Sequence, residues 1–381
     1  MIHNTYLYLK NGVFNMKKGI IVSLYDDINF GNKLQNYAVY KLIHDRKIDV
    51  MNIKNNRHLN YKNNSIIKSY IKFCLSKLKY FITKRSMYGL KYYSLRKENF
   101  KSFSKQIKTS KHYFSYKNLS EYDNNDYLFV GSDQVWNPYM ALDDLTLFDG
   151  FNHGEKISMS ASFGVSSIDN ENDKKRIKEA FKKFKAISVR EDDGKKIVDS
   201  LSIDKKCDVL IDPTMAIDKE EWLKQVKSPK YLPKKKYILL AFLGKIDEKL
   251  YNEITDLASR NNYEIVDLYK KNSYWTSCGP SEFLYLEKNA ELICTDSFHS
   301  SVFGIIFNVP ILVTGRNGTK ENMNSRIETL LNKFKLESRK YKGEICKDVF
   351  EKNYAEANKI IEKEKDKYNN YLDNVLEVEG E

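Results

Sequence analysis

Polar and ionisable side chains gather at one strand-to-helix junction, in the segment ELICTDSFHSSVFGIIFNVPILV that spans 291–313. Asp296, Ser297 and His299 lie between two apolar runs of this segment. A helix that starts near Phe298 presents unpaired backbone N–H groups and the positive end of its dipole, so its first turn can bind an anion. An imidazole in that turn can give or take a proton near neutral pH. The alternative is a helix cap beside a partly buried histidine of the core.

A second polar cluster follows the apolar run Tyr127–Val130, in a turn that opens with glycine. Ser132, Asp133 and Gln134 can reach a ligand there, because glycine lets the backbone come close to it. The Asp133 carboxylate can accept hydrogen bonds from sugar hydroxyls or act as a general base. The alternative is a tight turn in which this carboxylate only caps the backbone. Trp136 can stack on a sugar face, although filling a core is the commoner use of tryptophan.

Two further strand ends carry polar groups. Arg190 ends a short strand beside Glu191, where a guanidinium suits bidentate binding of phosphate or carboxylate, and a surface ion pair with Glu191 is the alternative. Asn32 and Gln35 follow the first predicted strand. The chain has no G-x-G-x-x-G or G-x-x-x-x-G-K motif, so a dinucleotide site or a P-loop lacks support. It also has no H-x-x-x-H or C-x-x-C pair, so no metal site is predicted.

Apolar strands alternate with helical patterns along the chain, in two series. One series starts with the apolar run 18–25, and the other starts near Cys207 and contains a strong strand over 237–244. This alternation predicts an α/β fold of two Rossmann-like domains with parallel sheets, which face each other across a cleft. Ligands of such sheets bind beyond the carboxyl ends of the strands, where the candidate residues fall. The predicted units are a non-domain extension over 1–16, an N-terminal domain over 17–190 with a basic helical insertion over 61–117, a C-terminal domain over 205–345, and a C-terminal helix over 350–381 that can cross back to the N-terminal domain.

Composition restricts the class of protein. Hydrophobic residues make up 41% of the 381 positions, which suits globular domains, and no apolar run reaches the length of a membrane-spanning helix. The start of the chain lacks both a basic beginning and an apolar stretch of signal-peptide length, so an upstream extension outside the fold is predicted there. The five cysteines are scattered and odd in number, which indicates reduced, small apolar residues of a cytoplasmic protein.

The positive charge is concentrated in one segment. The net charge is +13, and residues 61–111 hold 14 Lys or Arg against one acidic residue, Glu98, so this segment carries the whole excess. A local basic surface is therefore predicted, and a protein that coats nucleic acid is not. Residues 65–85 follow a helical period, and such a helix can lie on the anionic inner surface of a membrane. The alternative is that its apolar stripe packs on the N-terminal sheet while the lysines are solvated.

Five segments occur in an order that resembles the polysaccharide pyruvyl transferase family. They are NFGNKLQNYAVYKLI, FVGSDQVWN, SVRE, GPSEFLYLEKNAELICTDSFHSSVFGIIFNVPILV and NSRIETLL, and the resemblance covers about Lys18 to Leu331. It implies a fold similar to the two-domain GT-B glycosyltransferases, with the acceptor on the N-terminal domain and the donor on the C-terminal domain. It also implies transfer of the pyruvyl group of phosphoenolpyruvate onto two hydroxyls of a sugar, as a ketal and without a cofactor. The sugar would belong to a capsule, an exopolysaccharide or another cell-envelope polysaccharide, or to its precursor.

The resemblance assigns roles to single residues as well. It puts the anion-binding arginine at Arg190 and the acid/base histidine at His299, with the backbone of the turn before the histidine cradling phosphate. Asp133 would orient the acceptor. Better-known members carry arginine two positions before the histidine, where this chain has Ser297. Arg316 or Arg326 can supply the missing contact to the donor.

Two other functions fit parts of the same pattern. A GT-B glycosyltransferase that uses a nucleotide-sugar shares the cleft and the phosphate site at a helix start. A non-catalytic protein that binds an anionic polymer or a lipid surface would use the basic segment and would show no turnover. For a transferase, the same segment fits an acceptor sugar linked to a membrane lipid.

Overall fold

The computed structural model describes residues 16–26, 28–56, 59, 66–140, 142–271, 273–316 and 325–377. The predicted extension lies outside this part of the chain apart from Met16, which is exposed. Residues 61–65 at the start of the predicted insertion also lie outside it.

The first sheet contains β1 (Lys18–Val22), β2 (Asp49–Lys54), β3 (Thr109–Tyr113), β4 (Tyr127–Val130), β5 (Glu155–Ser158), β6 (Phe184–Val189) and β7 (Cys207–Val209). All neighbouring strands pair in parallel, in the order β3–β2–β1–β4–β5–β6–β7. The order reverses between β1 and β4, since β2 and β3 build on one side of β1 while β4 to β7 build on the other. This is the strand order of a Rossmann fold with one added strand, and its binding crevice opens beyond the carboxyl ends of β1 and β4.

The second sheet contains β8 (Tyr237–Ala241), β9 (Glu264–Asp267), β10 (Leu292–Thr295) and β11 (Ile311–Val313). These strands also pair in parallel, in the order β11–β10–β8–β9. The order reverses between β8 and β10, so a second crevice opens where those two strands end. Two Rossmann-like parallel sheets confirm the GT-B-like α/β fold that the sequence predicts.

Helices cover both sheets. Those described are α1 (Phe30–His44), α2 (Ile66–Tyr88), α3 (Leu90–Ser104), α4 (Glu171–Phe181), α5 (Asp192–Ser200), α6 (Pro213–Ala216), α7 (Lys219–Gln225), α8 (Glu248–Arg260), α9 (Pro280–Lys288), α10 (Phe298–Phe307), α11 (Ser325–Lys333) and α12 (Ala355–Leu376). Helix α1 begins after Asn29, whose side chain accepts a hydrogen bond from the backbone N–H of Asn32 at 3.1 Å. Helix α10 is buried along its whole length and ends at Asn308, which adopts the left-handed conformation with φ of 56°.

The start of α1 packs against helices of the second sheet. Phe30 stacks on Phe283 of α9 with ring centroids 4.5 Å apart, and Tyr37 lies 5.5 Å from Trp222 of α7. These aromatic contacts belong to one apolar cluster that contains residues of both sheets. They hold the first turn of α1 beside the first turn of α10, which places the ends of the two sheets face to face.

Helix α12 connects the two sheets. The Tyr354 hydroxyl, just before the helix, donates a hydrogen bond to the Val309 carbonyl at 2.6 Å, next to the second sheet. Towards the other end, the Tyr371 hydroxyl donates to the Ser158 carbonyl at 2.9 Å, at the end of β5. The helix therefore runs from the second sheet back to the first.

One strand differs from its predicted place. The sequence predicts Cys207–Val209 in the C-terminal domain, but β7 pairs with β6, with Cys207 opposite Ile187, and extends the first sheet. A short apolar strand looks the same in sequence whichever sheet it joins, because pairing depends on contacts with distant residues. Strand β3 likewise belongs to the first sheet although it falls within the predicted insertion, 61–117. The remaining boundaries stay predictions.

The structure also bears on the predictions for Trp136, for the cysteines and for membrane-spanning helices. Trp136 is fully buried against Phe181 with ring centroids 4.5 Å apart, so it fills the core and does not stack on a ligand. Three cysteines are buried, but Cys74 and Cys346 are exposed, so an apolar filling role is wrong for these two. Among the helices described, none combines the length and the apolar character that crossing a membrane requires.

Candidate active site

A cavity of about 430 Å³ lies where the carboxyl ends of strands from both sheets meet. Its first wall consists of the segment after β1, the start of α1 and the turn after β4, while its second wall consists of the ends of β8 and β10 with the starts of α10 and α11. Seven of the predicted site residues line it: Asn32, Asp133, Gln134, Asp296, Ser297, His299 and Arg326. The two strand-order reversals thus open onto one shared space, as expected for facing parallel sheets.

His299 is the second residue of α10 and is 8% exposed. Its imidazole packs on Gly31 of α1, and a Cβ atom at Gly31 would lie only 2.3 Å from Nδ1. Only glycine at this position allows the helix of one half to approach the imidazole of the other so closely. Burial lowers the pKa of His299 below its usual value of 6.5, more than neighbouring carboxylates raise it. The imidazole is therefore neutral near pH 7 and able to accept a proton.

Asp212 lies behind the imidazole and was not among the predicted site residues. Its Oδ2 atom is 3.7 Å from Nε2 of His299, and its Oδ1 atom accepts hydrogen bonds from Thr214, with the backbone N–H at 3.0 Å and the hydroxyl at 2.6 Å. Burial would raise the pKa of Asp212, but the charges of His299 and Arg190 and the Thr214 hydrogen bonds lower it overall. The carboxylate is thus positioned to stabilise an imidazolium at His299. Its sequence signal is a polar residue at a strand end, directly before proline.

Arg190 lies deeper than predicted. Its Nη1 atom donates to Oδ2 of Asp212 at 2.6 Å, and its guanidinium lies under the Phe298 ring, 4.4 Å from the ring centroid. Asp133 and Glu191 are also near, at 3.6 and 3.8 Å. Burial would lower the pKa of Arg190, but these three carboxylates raise it, so the guanidinium stays charged. The sequence predicts a contact with a ligand anion, whereas the structure places Arg190 behind Phe298 and outside the cavity lining.

Ser132 and Gln35 also lie behind the cavity wall. The Ser132 hydroxyl donates to the Ser160 carbonyl at 2.8 Å, and Oε1 of Gln35 accepts from the Ser23 hydroxyl at 2.9 Å. Both residues are fully buried. The Ser132 bond joins the segments that follow β4 and β5, and the Gln35 bond joins α1 to the segment that follows β1. They support the wall and do not line the cavity, and the predicted contact with substrate stays a prediction for both.

The wall of the first half offers hydrogen-bonding groups. Asp133 has a φ of 70°, and its carboxylate accepts hydrogen bonds from the Asn32 side chain and from the backbone N–H of Gln134. Within the described residues, Nε2 of Gln134 is buried without a hydrogen-bond partner. An amide, a carboxylate and a further amide that line the same cavity form a surface suited to hydroxyl groups.

The wall of the second half is cationic. Asp296 does not offer its carboxylate to a ligand, because Oδ1 accepts from the backbone N–H of Leu243 at 2.6 Å and Oδ2 from that of Gly244 at 2.8 Å. It also holds Arg316, whose Nε lies 3.5 Å from Oδ2. Ser297 precedes α10 without a side-chain cap hydrogen bond, so its hydroxyl is open to the cavity. These residues leave the first turn of α10 available to an anion.

Arg326 of α11 is the cation that the structure favours as a ligand group. It lines the cavity, is 9% exposed, and its guanidinium lies 5.9 Å from the Phe298 ring centroid. Its Nε atom has no hydrogen-bond partner within the described part of the chain. Burial, followed by the nearby charge of Arg190, lowers the pKa of Arg326 to about 10. A bound anion would offset the unfavourable free energy of burying the charged guanidinium, since it supplies the opposite charge and an acceptor for Nε.

A buried carboxyl group lies beneath the second wall. Glu287 of α9 is fully buried and accepts a hydrogen bond from the Ser300 hydroxyl at 2.6 Å, and Ser300 lines the cavity. Burial raises the pKa of Glu287 well above its usual value of 4.5. Glu287 is not predicted from the sequence, because a glutamate in a helical pattern gives no sign of being buried.

Glu287→Gln is expected to change how stability depends on pH. A carboxyl whose pKa is raised on folding stabilises the fold fully below about pH 4.5, and this stabilisation is lost as pH rises towards the folded-state pKa. The wild type should therefore lose up to about 1.4 kcal/mol per pH unit in that window relative to Glu287→Gln. Urea unfolding at several pH values measures the difference. Parallel pH curves for the two proteins would show that the carboxyl ionises normally, and exposed Glu344→Gln serves as the control.

Most of the chain, including much of the cavity lining, matches one enzyme family. The family model for polysaccharide pyruvyl transferase matches residues 29–318. The chain belongs to the polysaccharide pyruvyl transferase family. The matched range contains the Asn32–Asp133 contact of the first wall of the transferase cavity and His299 of the second wall, with Asp212 behind the imidazole. Arg326 lies beyond its end.

Several solved structures are similar to the transferase in chain path. They include an S. aureus MnaA–UDP co-structure (TM-score 0.48, 13% identity, 96% of this chain and 98% of that chain covered). A putative UDP-N-acetylglucosamine 2-epimerase from Listeria monocytogenes gives a TM-score of 0.48 at 11% identity, with 93% and 91% covered. The glycosyltransferase SnogD from Streptomyces nogalater gives 0.40 at 10%, with 93% and 95% covered. None of the curated proteins matches the chain significantly.

Proposed function

We propose that this transferase moves the pyruvyl group of phosphoenolpyruvate onto two hydroxyls of a sugar, forming a ketal on a cell-surface polysaccharide or its precursor. One observation carries the proposal: the neutral imidazole of His299 lies in a cavity with a cationic wall on one side and a hydroxyl-binding wall on the other. A small donor with two acidic groups suits the cationic wall, and a sugar suits the opposite wall.

The donor would bind at the second wall. Phosphoenolpyruvate carries a phosphate and a carboxylate, and Arg326, Arg316 and the first turn of α10 supply cationic and N–H groups for them. This arrangement replaces the expected role of Arg190, whose guanidinium is engaged by Asp212. Arg326 and Arg316 also supply the charged contact to the donor that the uncharged Ser297 cannot make.

The acceptor would bind at the first wall. The Asp133 carboxylate, held by the Asn32 side chain, can accept a hydrogen bond from a sugar hydroxyl, and the Gln134 amide can donate one. A sugar held here has His299 on the other side of the cavity, where the donor lies. This places the reacting hydroxyl between the two walls.

The reaction then needs one proton shuttle. As the first sugar oxygen bonds to C2 of phosphoenolpyruvate, the π bond between C2 and C3 breaks and its electron pair forms a new C–H bond at C3. The hydroxyl proton passes to neutral His299, and the resulting imidazolium, stabilised by Asp212, delivers that proton to C3. The second sugar oxygen then bonds to C2 while the C2–O bond to phosphate breaks, and the electron pair of that bond leaves with the phosphate. The second hydroxyl proton leaves with the phosphate, and His299 is neutral again.

Product analysis tests the proposal directly. The full chain is incubated with phosphoenolpyruvate and glycan precursors of its host, and mass spectrometry follows the pyruvyl ketal while a phosphate assay follows release. Equal amounts of ketal and phosphate are expected, and a parallel panel of nucleotide-sugars should give no glycosyl product. Glycosyl transfer from the panel, without ketal, would refute the proposal.

Donor affinity gives a second arm of the same test. Arg326→Met should weaken binding of phosphoenolpyruvate by roughly tenfold to a hundredfold, as expected when a charged hydrogen-bond donor is removed. Isothermal titration measures the affinity, and Arg260→Met, at an exposed position of α8, should leave it unchanged. Unaltered affinity in Arg326→Met would place the donor elsewhere.

A further inference from the structure

Helix α2 exposes an apolar stripe to solvent. Ile71, Leu75, Leu78 and Ile82 are 55%, 60%, 56% and 57% exposed. Steps of four, three and four residues put these side chains on one face of the helix, over three turns. The interpretation that this stripe packs on the N-terminal sheet is therefore wrong for these four residues. Large aliphatic side chains exposed in a row usually mark an interaction surface.

Positive charge accompanies this stripe. Helix α2 contains five lysines and one arginine among its 23 residues and no acidic residue. Lys68, Lys72, Lys79 and Arg85 are exposed. Lys68, Lys72 and Lys79 follow the stripe along the helix at steps of four and seven residues, so they form a row on one side of it. An apolar stripe with a cationic border is typical of a helix that lies in a membrane interface.

The opposite face of α2 is anchored to the first half of the molecule. Phe73 packs edge-on against Tyr113 with ring centroids 5.3 Å apart, and the Lys77 ammonium donates to the Tyr113 hydroxyl at 2.6 Å. The Tyr80 hydroxyl donates to the Asp26 carboxylate at 2.7 Å. These contacts fix which face of the helix points outward. Because Asp26 lines the cavity, they also place α2 beside the mouth of the candidate active site.

We propose that the outer face of α2, defined by Ile71, Leu75, Leu78, Ile82 and the row Lys68, Lys72 and Lys79, docks onto an anionic lipid bilayer. Charge complementarity favours this occupant, since anionic headgroups neutralise the lysines while the aliphatic side chains enter the interface. A second copy of the chain would bring two rows of lysines together, and like charges oppose that contact. The helix lies on the membrane and does not cross it, as its six basic residues require.

Docking in this orientation brings the cavity mouth close to the lipid headgroups. The Tyr80–Asp26 hydrogen bond joins the membrane-facing helix directly to a residue of the cavity lining. An acceptor sugar carried on a membrane lipid would suit a cavity in this position. This inference about the acceptor rests on the proposed function. Membrane binding itself does not rest on it, because it is measured without turnover.

Cosedimentation of the full chain with lipid vesicles tests the docking surface. The protein should pellet with vesicles of phosphatidylglycerol and phosphatidylcholine and stay in solution with phosphatidylcholine alone. Lys72→Glu/Lys79→Glu should weaken binding by about fivefold or more for each lysine. Leu75→Ser/Leu78→Ser should weaken it by about tenfold or more. All four side chains are exposed, so both variants should keep the wild-type fold by circular dichroism.

Matched controls separate this surface from general charge and exposed apolar residues. Lys359→Glu/Lys363→Glu changes two exposed lysines of α12, and Leu232→Ser changes an aliphatic residue that is 53% exposed. Both controls should bind vesicles like the wild type. Equal losses in the controls, or binding unaffected in the α2 variants, would overturn the proposal. A dimer in sedimentation velocity that Leu75→Ser/Leu78→Ser dissolves would assign the surface to a second copy and overturn it as well.

Activity assays distinguish failure of this inference from failure of the proposed reaction. With a soluble acceptor, the α2 variants should form ketal at the wild-type rate, because α2 contributes no group to the chemistry. With an acceptor embedded in anionic vesicles, the same variants should be slower by about the factor by which they lose binding. A chain that binds vesicles yet forms no ketal with either acceptor would retain the docking surface and lose the proposed function.

Discussion

His299→Ala is expected to lower kcat for ketal formation by roughly a hundredfold to ten-thousandfold, the range typical for loss of a general acid–base group. The imidazole is the group that takes the hydroxyl proton and returns it to the methylene carbon, and Asp212 at 3.7 Å supports its charged form. Binding of phosphoenolpyruvate should change little, because the cationic wall is intact. Steady-state kinetics with single-turnover measurements separates the two effects.

The pH profile provides an independent check. A neutral imidazole is needed as the base, so kcat/KM of the wild type should fall as pH drops through the pKa of His299, which burial places below 6.5. This acidic limb should disappear in His299→Ala. Exposed His153→Ala should keep both the rate and the limb. Full ketal formation by His299→Ala would remove the imidazole from the mechanism.

Gly31→Ala should lower kcat/KM by about a hundredfold although it adds only one methyl group. The new Cβ would lie 2.3 Å from Nδ1, 2.8 Å from Cγ and 2.9 Å from Cε1 of His299, so the imidazole must move. Displacement of a catalytic group by about 1 Å can cost a hundredfold in rate. Alanine also has a higher helix propensity than glycine, by roughly 0.5–1 kcal/mol in a helix interior, and the gain is smaller at Gly31 because it lies in the first turn of α1. Activity and stability should therefore change independently.

A double-mutant cycle shows whether Gly31 acts through His299. If alanine at position 31 only displaces the imidazole, then adding Gly31→Ala to His299→Ala should cost no further activity. Additive losses would mean that Gly31 serves the cavity in another way. Thermal unfolding of the three variants identifies any loss that comes from instability.

Sequence alone predicts the strand ends of this site well. Asp133 and His299 each follow a buried strand in a parallel sheet, and such ends meet at one edge for reasons of topology. His299, to which the resemblance assigns an acid/base role, lines the cavity, and the role itself stays a prediction. Which polar residue at a strand end faces the ligand is not predictable in the same way. Ser132 and Asp133 are neighbours, yet one supports the wall and the other lines the cavity.

Arg190 shows why the contacts of a buried site residue cannot be predicted from the sequence. Its partner Asp212 lies 22 positions further along the chain, and the overlying Phe298 belongs to α10, a helix that follows a strand of the second sheet. A buried guanidinium takes the carboxylates that the fold brings to it, and these contacts exist only after both sheets have packed. The exposure of the apolar face of α2 is also not predictable from the sequence. An amphipathic pattern has the same period whether the apolar side packs on a sheet or faces solvent.

The path of α12 has a consequence for how this protein folds during its synthesis. The Tyr127 hydroxyl of β4 donates to the Leu376 carbonyl at 3.2 Å, a contact that spans 249 positions. At about 5–20 residues per second, the ribosome needs on the order of ten to fifty seconds to supply the second partner after the first. Throughout that time the nascent first sheet lacks its covering helix, and apolar surface that the finished molecule buries is open to chaperones and to other chains.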